Sequence, residues 1–236
     1  MIAPEIEFRV NLPDRWNRRV YMTGNGGHAG EDLDAPRLVA RHEAALRRGF
    51  VTTATNTGHS AAKEPEATFA FNNDQKLIDY AFRAVHLTVE TAKQMATAYY
   101  DQPSTFSYWD GCSTGGRQGL MEAQRFPADF DGILAGAPVL DFTGTTIMGL
   151  WQGRVQDETP ILIENMAIVA DAVDAKCDAI DGLEDGLIED PRNCPFDPLQ
   201  DLPICETEHG ESDCITRAQA EALQKMYSGP TTSRGE

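Results

Sequence analysis

Apolar side chains nowhere run for the roughly 18 to 20 positions that a helix needs to cross a bilayer, so the sequence of 236 residues predicts no helical membrane span. Basic residues are also scarce, with 20 Lys and Arg against 37 Asp and Glu and a net charge of −17. That deficit removes nucleic acid and anionic membrane surfaces from the expected partners, because both select for positive charge. The opening stretch, MIAPEIEFRVNLP, has neither a basic segment nor an apolar one and does not read as a secretory signal. Histidine is limited to 5 positions, and no His or Cys pair stands at the spacing of a zinc site. Internal repeats and low-complexity tracts are missing too.

What is present suits a globular chain: 41% of the residues are hydrophobic, enough for a sizeable core. The acid is unevenly spread. Residues 1–150 hold 18 acidic and 14 basic side chains, a balance of −4, whereas residues 151–236 hold 19 and 6, a balance of −13. Four of the 5 cysteines crowd into residues 177–214 among acids and prolines. Such a cluster suits disulfides, and disulfides belong to an oxidising compartment.

Along the chain, EIEFRVNLP and RVYMTGNGGHAG alternate as two strands, the second running into a glycine-rich loop. The periodicity predicts a helix over residues 35–49, a buried strand over FVTTATNTG, and a long helix over residues 74–102. A strand at STFSYWDG, a helix from about Gly116 to Arg125 and a strand at FDGILAGAP follow. Strands alternating with helices imply a mostly parallel sheet of the α/β class, with catalytic loops at the carboxyl ends of its strands. The alternation stops near residue 145, so the chain divides into a core over 1–145 and a second, loop-rich region over 146–236. Helices are expected there only near ENMAIVADAVDAKCDAIDG and TRAQAEALQKMY.

The chemistry concentrates at YWDGCSTGGRQGL. Gly111-Cys112-Ser113-Thr114-Gly115 has the form G-x-S-x-G, between a predicted strand and a predicted helix. In that turn small neighbours let the chain bend sharply and lift the serine oxygen clear of the backbone. A hydroxyl attacks a carbonyl only if a base takes its proton and donors hold the developing oxyanion. Ser113 is the candidate nucleophile and the Thr114 N–H one oxyanion donor. The second donor is expected from GNGGHAG, at Gly26 or Gly27. The base is not found: His28, His42, His59 and His86 precede the serine, and His209 sits in an acidic loop, so no complete triad assembles.

GNGGHAG, TNTGHS, the stretch from YWDGCSTGG to GILAGAP, and CDAIDGLEDGLIEDPRNC together resemble the tannase and feruloyl esterase family, secreted α/β-hydrolases. The resemblance spans nearly the whole chain. It implies an α/β-hydrolase core interrupted by the start of a disulfide-rich, calcium-binding lid. It also implies a serine carboxylesterase that cleaves esters of aromatic acids, hydroxycinnamic or gallic, through an acyl-enzyme. In that family the cysteine before the nucleophile is bridged to one beside the catalytic histidine. Cys112 is therefore expected to pair with a cysteine outside this sequence, which would make the chain an N-terminal fragment, inactive alone, lacking the catalytic Asp and His and the export signal of a secreted or periplasmic protein.

Read on its own, CDAIDGLEDGLI spaces carboxylates at Asp178, Asp181 and Asp185, with Gly182 and Gly186 letting the loop curl. Hard oxygen donors of this kind suit Ca²⁺, and the resemblance adds the backbone carbonyls of Leu183 and Leu187. Cys177 and Cys194 bracket that loop and Cys205 and Cys214 close the next, so these are the expected pairs. The sequence is also compatible with two rival readings: a secreted calcium-dependent binding module without catalysis, and a hydrolase of the same fold acting on another bond, such as a peptidase.

Overall fold

The computed structural model describes residues 5–161, 165–206, 213–232 and 234. The chain divides into two units, Met1–Leu140 and Asp141–Glu236.

In the first unit, short β-branched runs become strands β1 (Phe8–Asn11), β2 (Arg19–Thr23) and β3 (Val51–Thr55), with helix α1 (Pro36–Arg47) between the last two. The predicted long helix is interrupted: α2 (Asp74–Ile78) leads through a π-helical turn at Asp79–Arg83 into α3 (Ala84–Tyr100). Inside that turn, the fully buried Asp79 accepts from Gln75 at 2.9 Å and pairs with Arg83 at 2.6 Å. Strand β4 (Phe106–Cys112), helix α4 (Thr114–Arg125) and strand β5 (Gly132–Gly136) complete the unit.

The five strands form one sheet in the order β1-β3-β2-β4-β5. β1 runs antiparallel to β3 and every other pairing is parallel. The mostly parallel α/β architecture expected from the sequence is therefore present. Alternation along β2 sends its side chains to opposite faces. Met22 packs with Val85 and Val89 of α3, Trp109 and Phe130, while Tyr21 and Thr23 reach Arg41 and His42 of α1. Each fully buried large apolar side chain of this cluster contributes about 1.5–3 kcal/mol. Buried threonines of β3 are also satisfied, since Thr53 and Thr55 donate to the carbonyls of Arg9 and Glu7 at 2.8 and 2.9 Å.

Parallel pairing fixes where the site can form. Thr23, the last residue of β2, lies opposite Asp110 of β4, and the Gly24 N–H continues the ladder to the Asp110 carbonyl at 3.0 Å. The loops leaving the carboxyl ends of β2 and β4 are thus neighbours, as α/β sheets require of their active sites.

The second unit opens with a helix that the sequence reading did not anticipate, α5 (Phe142–Glu158), capped by the Asp141 carboxylate on the Gly144 N–H at 2.8 Å. Then come α6 (Met166–Cys177), the one-turn α7 (Pro198–Asp201) and α8 (Arg217–Ser228). Helix α8 begins with a capping box, in which the Thr216 hydroxyl accepts the Gln219 N–H while the Gln219 side chain accepts the Thr216 N–H. Val155, Val169, Leu202, Ile215 and Leu223 form the unit's own apolar core. Cys177 is bridged to Cys194 and Cys205 to Cys214, the pairs expected from the sequence. Closing loops of 17 and 9 residues, each bridge contributes about 2–3 kcal/mol by restricting the unfolded chain.

Candidate active site

Ser113 stands between the end of β4 and the start of α4, exposed, with φ 59° and ψ −118°. For a residue with a side chain this is a strained backbone conformation, held only where the surroundings over-determine it. The surroundings do so through glycines. A Cβ on Gly111 would lie 2.4 Å from the Gly115 carbonyl oxygen, and one on Gly116 would lie 2.3 Å from that of Gly136. The Ser113 N–H donates to the same Gly136 oxygen at 3.0 Å, and the Trp109 indole N–H donates to the Gly115 oxygen at 2.9 Å. The turn is thereby pinned to β5 below and to the core beside it, with its serine facing outward.

The glycine-rich loop after β2 closes on this turn. A Cβ on Gly24 would meet Gly115 Cα and Trp109 at 2.7 Å, so backbone packs directly on backbone. The Thr114 hydroxyl, on a buried residue, donates to the Gly27 carbonyl at 2.5 Å. Ser113, Thr114, Gly26 and Gly27, separated by nearly ninety positions in sequence, are thus brought into one neighbourhood. Between the Gly26 side of the loop and Arg41, a cavity of about 290 Å³ is lined by Asn25, Glu31 and Cys112 among others. Arg41 bonds Asp110 at 2.6 Å there. Burial works to raise the Asp110 pKa, but hydrogen bonds from Arg41 and then Tyr21 outweigh it and hold the carboxyl below its ordinary value.

The histidines preceding Ser113 have other work. His42 lies buried between Thr23 and Asn11, and burial first, then the charges of Arg41 and Arg9, push its pKa down to about 4. His59 stacks on Phe69 with centroids 3.8 Å apart, and burial lowers its pKa. His86 pairs with Asp129 at 2.7 Å, and His28 Nδ1 faces Glu66 at 3.1 Å. His209 lies outside the described residues. Cys112 is exposed with a free thiol.

Three polar side chains that the sequence reading did not single out hold the glycine loop: Asn25, Glu31 and Gln118. Asn25 stood inside the quoted loop, but Gln118 was visible only as a polar residue in a predicted helix and Glu31 as one acid among many.

In the second unit, Asp178–Asp181 forms a 3₁₀ turn and Gly182 and Gly186 take φ of 96° and 77°. The carboxylates there serve the loop's own backbone. Asp178 accepts from the N–H groups of Asp185 and Gly186, Asp181 from Leu183, and Asp185 from Leu187, at 2.9–3.3 Å. Among the described residues no three His, Cys, Asp or Glu side chains converge closely enough to hold one metal ion. The donor chemistry, all oxygen, suits calcium; the arrangement adopted here does not converge on it.

Comparison with known proteins gives these features a context. The family model described as tannase and feruloyl esterase matches residues 1–236. Feruloyl esterase B of Aspergillus niger is 35% identical over 223 residues, covering 92% of this chain and 40% of that protein. The crystal structure of feruloyl esterase B from Aspergillus oryzae superposes with a TM-score of 0.76 at 31% identity, covering 98% of this chain and 46% of that one. Tannin acyl hydrolase from Aspergillus niger, at 22% identity and a TM-score of 0.71, shares the fold over 99% of this chain and 45% of its own. The chain spans about two fifths of the length of the curated relatives it matches. With the family model matched from end to end and feruloyl esterase B 35% identical over 92% of its length, this chain belongs to the tannase and feruloyl esterase family.

Proposed function

We propose that this chain carries the nucleophile of a serine carboxylesterase acting on esters of aromatic acids, hydroxycinnamic or gallic. The observation that carries the reading is the strained Ser113 at the end of β4, directly beside the glycine loop that follows β2. A protein that used this turn only as a connection would gain by placing glycine there. The name of its relative feruloyl esterase B and the description of its family, tannase and feruloyl esterase, support the substrate class.

In the proposed reaction the Ser113 oxygen adds to the ester carbonyl while a base accepts its proton. The Thr114 N–H and a glycine N–H hold the oxyanion. Collapse expels the alcohol, which leaves with that proton, and water then cleaves the acyl-serine ester to release the acid and restore the hydroxyl. We propose that the base and its acid partner belong to parts of the protein outside these 236 residues, and that Cys112 is bridged to a cysteine beside that base. The two disulfides of the second unit support an oxidising compartment.

The test is made on the protein expressed from its complete reading frame. An organophosphonate is expected to add to the peptide containing Ser113, and esters of hydroxycinnamic or gallic acid to be cleaved at least about tenfold faster than matched fatty-acid esters. Labelling elsewhere, or no preference for an aromatic acyl group, refutes the assignment.

We also propose that the loop from Asp178 to Leu187 binds calcium structurally, through the carboxylates of Asp178, Asp181 and Asp185 and the carbonyls of Leu183 and Leu187. Its donors are of the hard-oxygen type that calcium takes in sets of about 6–8. Binding would turn carboxylates now serving loop amides toward the ion, so a chelator is expected to lower the melting temperature by several degrees. An unchanged melting curve, with no metal found by elemental analysis, rules the site out.

A further inference from the structure

The glycine loop is tied to the nucleophile helix by a chain of hydrogen bonds that the ester chemistry above leaves unused. Gln118, fully buried on α4, accepts the Asn25 N–H at 3.0 Å and donates to the Asn25 side-chain oxygen at 2.9 Å. The Asn25 amide nitrogen in turn donates to the Thr55 carbonyl at 2.8 Å and to Glu31 Oε2 at 2.7 Å. The other Glu31 oxygen, Oε1, accepts the Gly26 N–H at 2.6 Å. Backbone and side chain of Asn25 are thereby fixed from three elements: helix α4, strand β3 and the far end of the loop itself. Networks satisfied in this way hold a single geometry.

Two consequences bear on the oxyanion. First, the Gly26 N–H is taken by a carboxylate oxygen, and a second anion brought to the same hydrogen would face that charge. Second, the Gly26 carbonyl accepts the Ala29 N–H at 2.8 Å, which fixes the plane of the Gly26–Gly27 peptide. In a trans peptide the Gly27 N–H lies in that same plane and points away from the Gly26 carbonyl, from the opposite edge of the peptide. Gly27 has φ 50°, and beyond its two chain neighbours no atom lies within 4 Å of where its Cβ would stand, so the loop is open at this residue. Its carbonyl is held by the Thr114 hydroxyl, next to the other expected donor.

We infer that Glu31 is a positioning residue: acting with Asn25 and Gln118, it fixes the glycine loop so that Gly27, and not Gly26, supplies the second oxyanion N–H beside Thr114. The inference rests on the esterase reading above.

The experiment compares the wild type with Glu31→Ala and Glu31→Gln, all expressed from the complete reading frame. It measures kcat and KM on an aromatic-acid ester, inhibition by an arylboronic acid, which forms a tetrahedral adduct on the serine, and inhibition by the free aromatic acid. Removing an oxyanion donor outright costs about 10²–10³ in kcat, so a displaced one is expected to cost roughly 10–100-fold in Glu31→Ala. KM and inhibition by the free acid stay within about twofold, while boronate affinity falls in step with kcat. Glu31→Gln keeps an acceptor for the Gly26 N–H and is expected to recover part of the loss.

A Glu31→Ala enzyme with kcat within twofold of wild type overturns the inference and leaves the esterase reading standing. So does a parallel fall of kcat, free-acid affinity and melting temperature in both variants, since that marks general loosening of the fold. A wild type that cleaves no aromatic ester removes the esterase reading and this inference together.

Discussion

Replacing Ser113 by alanine is expected to lower ester turnover by at least about 10⁴-fold while leaving the melting temperature within about 2 °C of wild type. The two halves of that result have separate causes. Turnover collapses because no other hydroxyl stands at the exposed apex of the β4–α4 turn, and the oxyanion donors alone retain only a small part of the rate. Stability is kept because alanine meets the same backbone penalty as serine at φ 59°. The Ser113 N–H also still donates to Gly136. Ser113→Gly separates the terms further. Glycine occupies positive φ without steric cost, so this variant is expected to be inactive and more stable by roughly 0.5–1 kcal/mol. Steady-state hydrolysis and thermal unfolding of the three proteins, each expressed from the complete reading frame, check both halves. Alanine and glycine variants that turn over at the wild-type rate would show that the nucleophile lies elsewhere.

The sequence was informative where a local signal and a tertiary requirement coincide. Strands β1 to β4 carry β-branched or aromatic residues, β5 is a short apolar run between glycines, and their alternation with helices suffices to predict a parallel sheet. The G-x-S-x-G turn is readable because its first glycine, Gly111, and the Gly116 just after it are demanded by backbone contacts of 2.4 and 2.3 Å, which no other residue tolerates. Helix α5 escaped detection for the opposite reason. Its sequence, FTGTTIMGLWQGRVQDE, mixes threonines and glycines with apolar residues at no regular spacing, and Val155 is its one buried residue. The long predicted helix was correct in extent, but nothing local marks the π-helical turn at Asp79–Arg83; what the structure has there is a buried carboxylate bonded within the turn. The choice between Gly26 and Gly27 was equally closed to the sequence. The inference in favour of Gly27 turns on Glu31 folding back onto the Gly26 N–H, beside an Asn25 that Gln118 holds from 93 positions away.

Gly116→Ala is expected to destabilise the protein by roughly 2–3 kcal/mol and to depress turnover, whereas Gly136→Ala, on the facing strand, is expected to be nearly neutral. Helix propensity alone predicts the reverse for Gly116, since alanine in a helix is better than glycine by about 1 kcal/mol. Packing overrides it. The new methyl would lie 2.3 Å from the Gly136 carbonyl oxygen and 2.9 Å from Pro138 Cα, and both are backbone atoms that cannot swing aside as a side chain can. Helix α4 must therefore back away from β5, and insertions of this kind into close-packed cores cost about 1–3 kcal/mol, occasionally more. The retreat also stretches the 3.0 Å bond from the Ser113 N–H to Gly136, which helps hold the serine in its strained conformation. Nucleophile placement and stability thus fall together. At Gly136 the added methyl meets Cys112 Cβ and Sγ at 3.6 Å, an ordinary contact, and strand backbone favours alanine slightly over glycine. Denaturant midpoints and kcat for the two variants decide the matter. Equal tolerance at both positions would mean that the close approach of α4 to β5 is not what holds Ser113 in place.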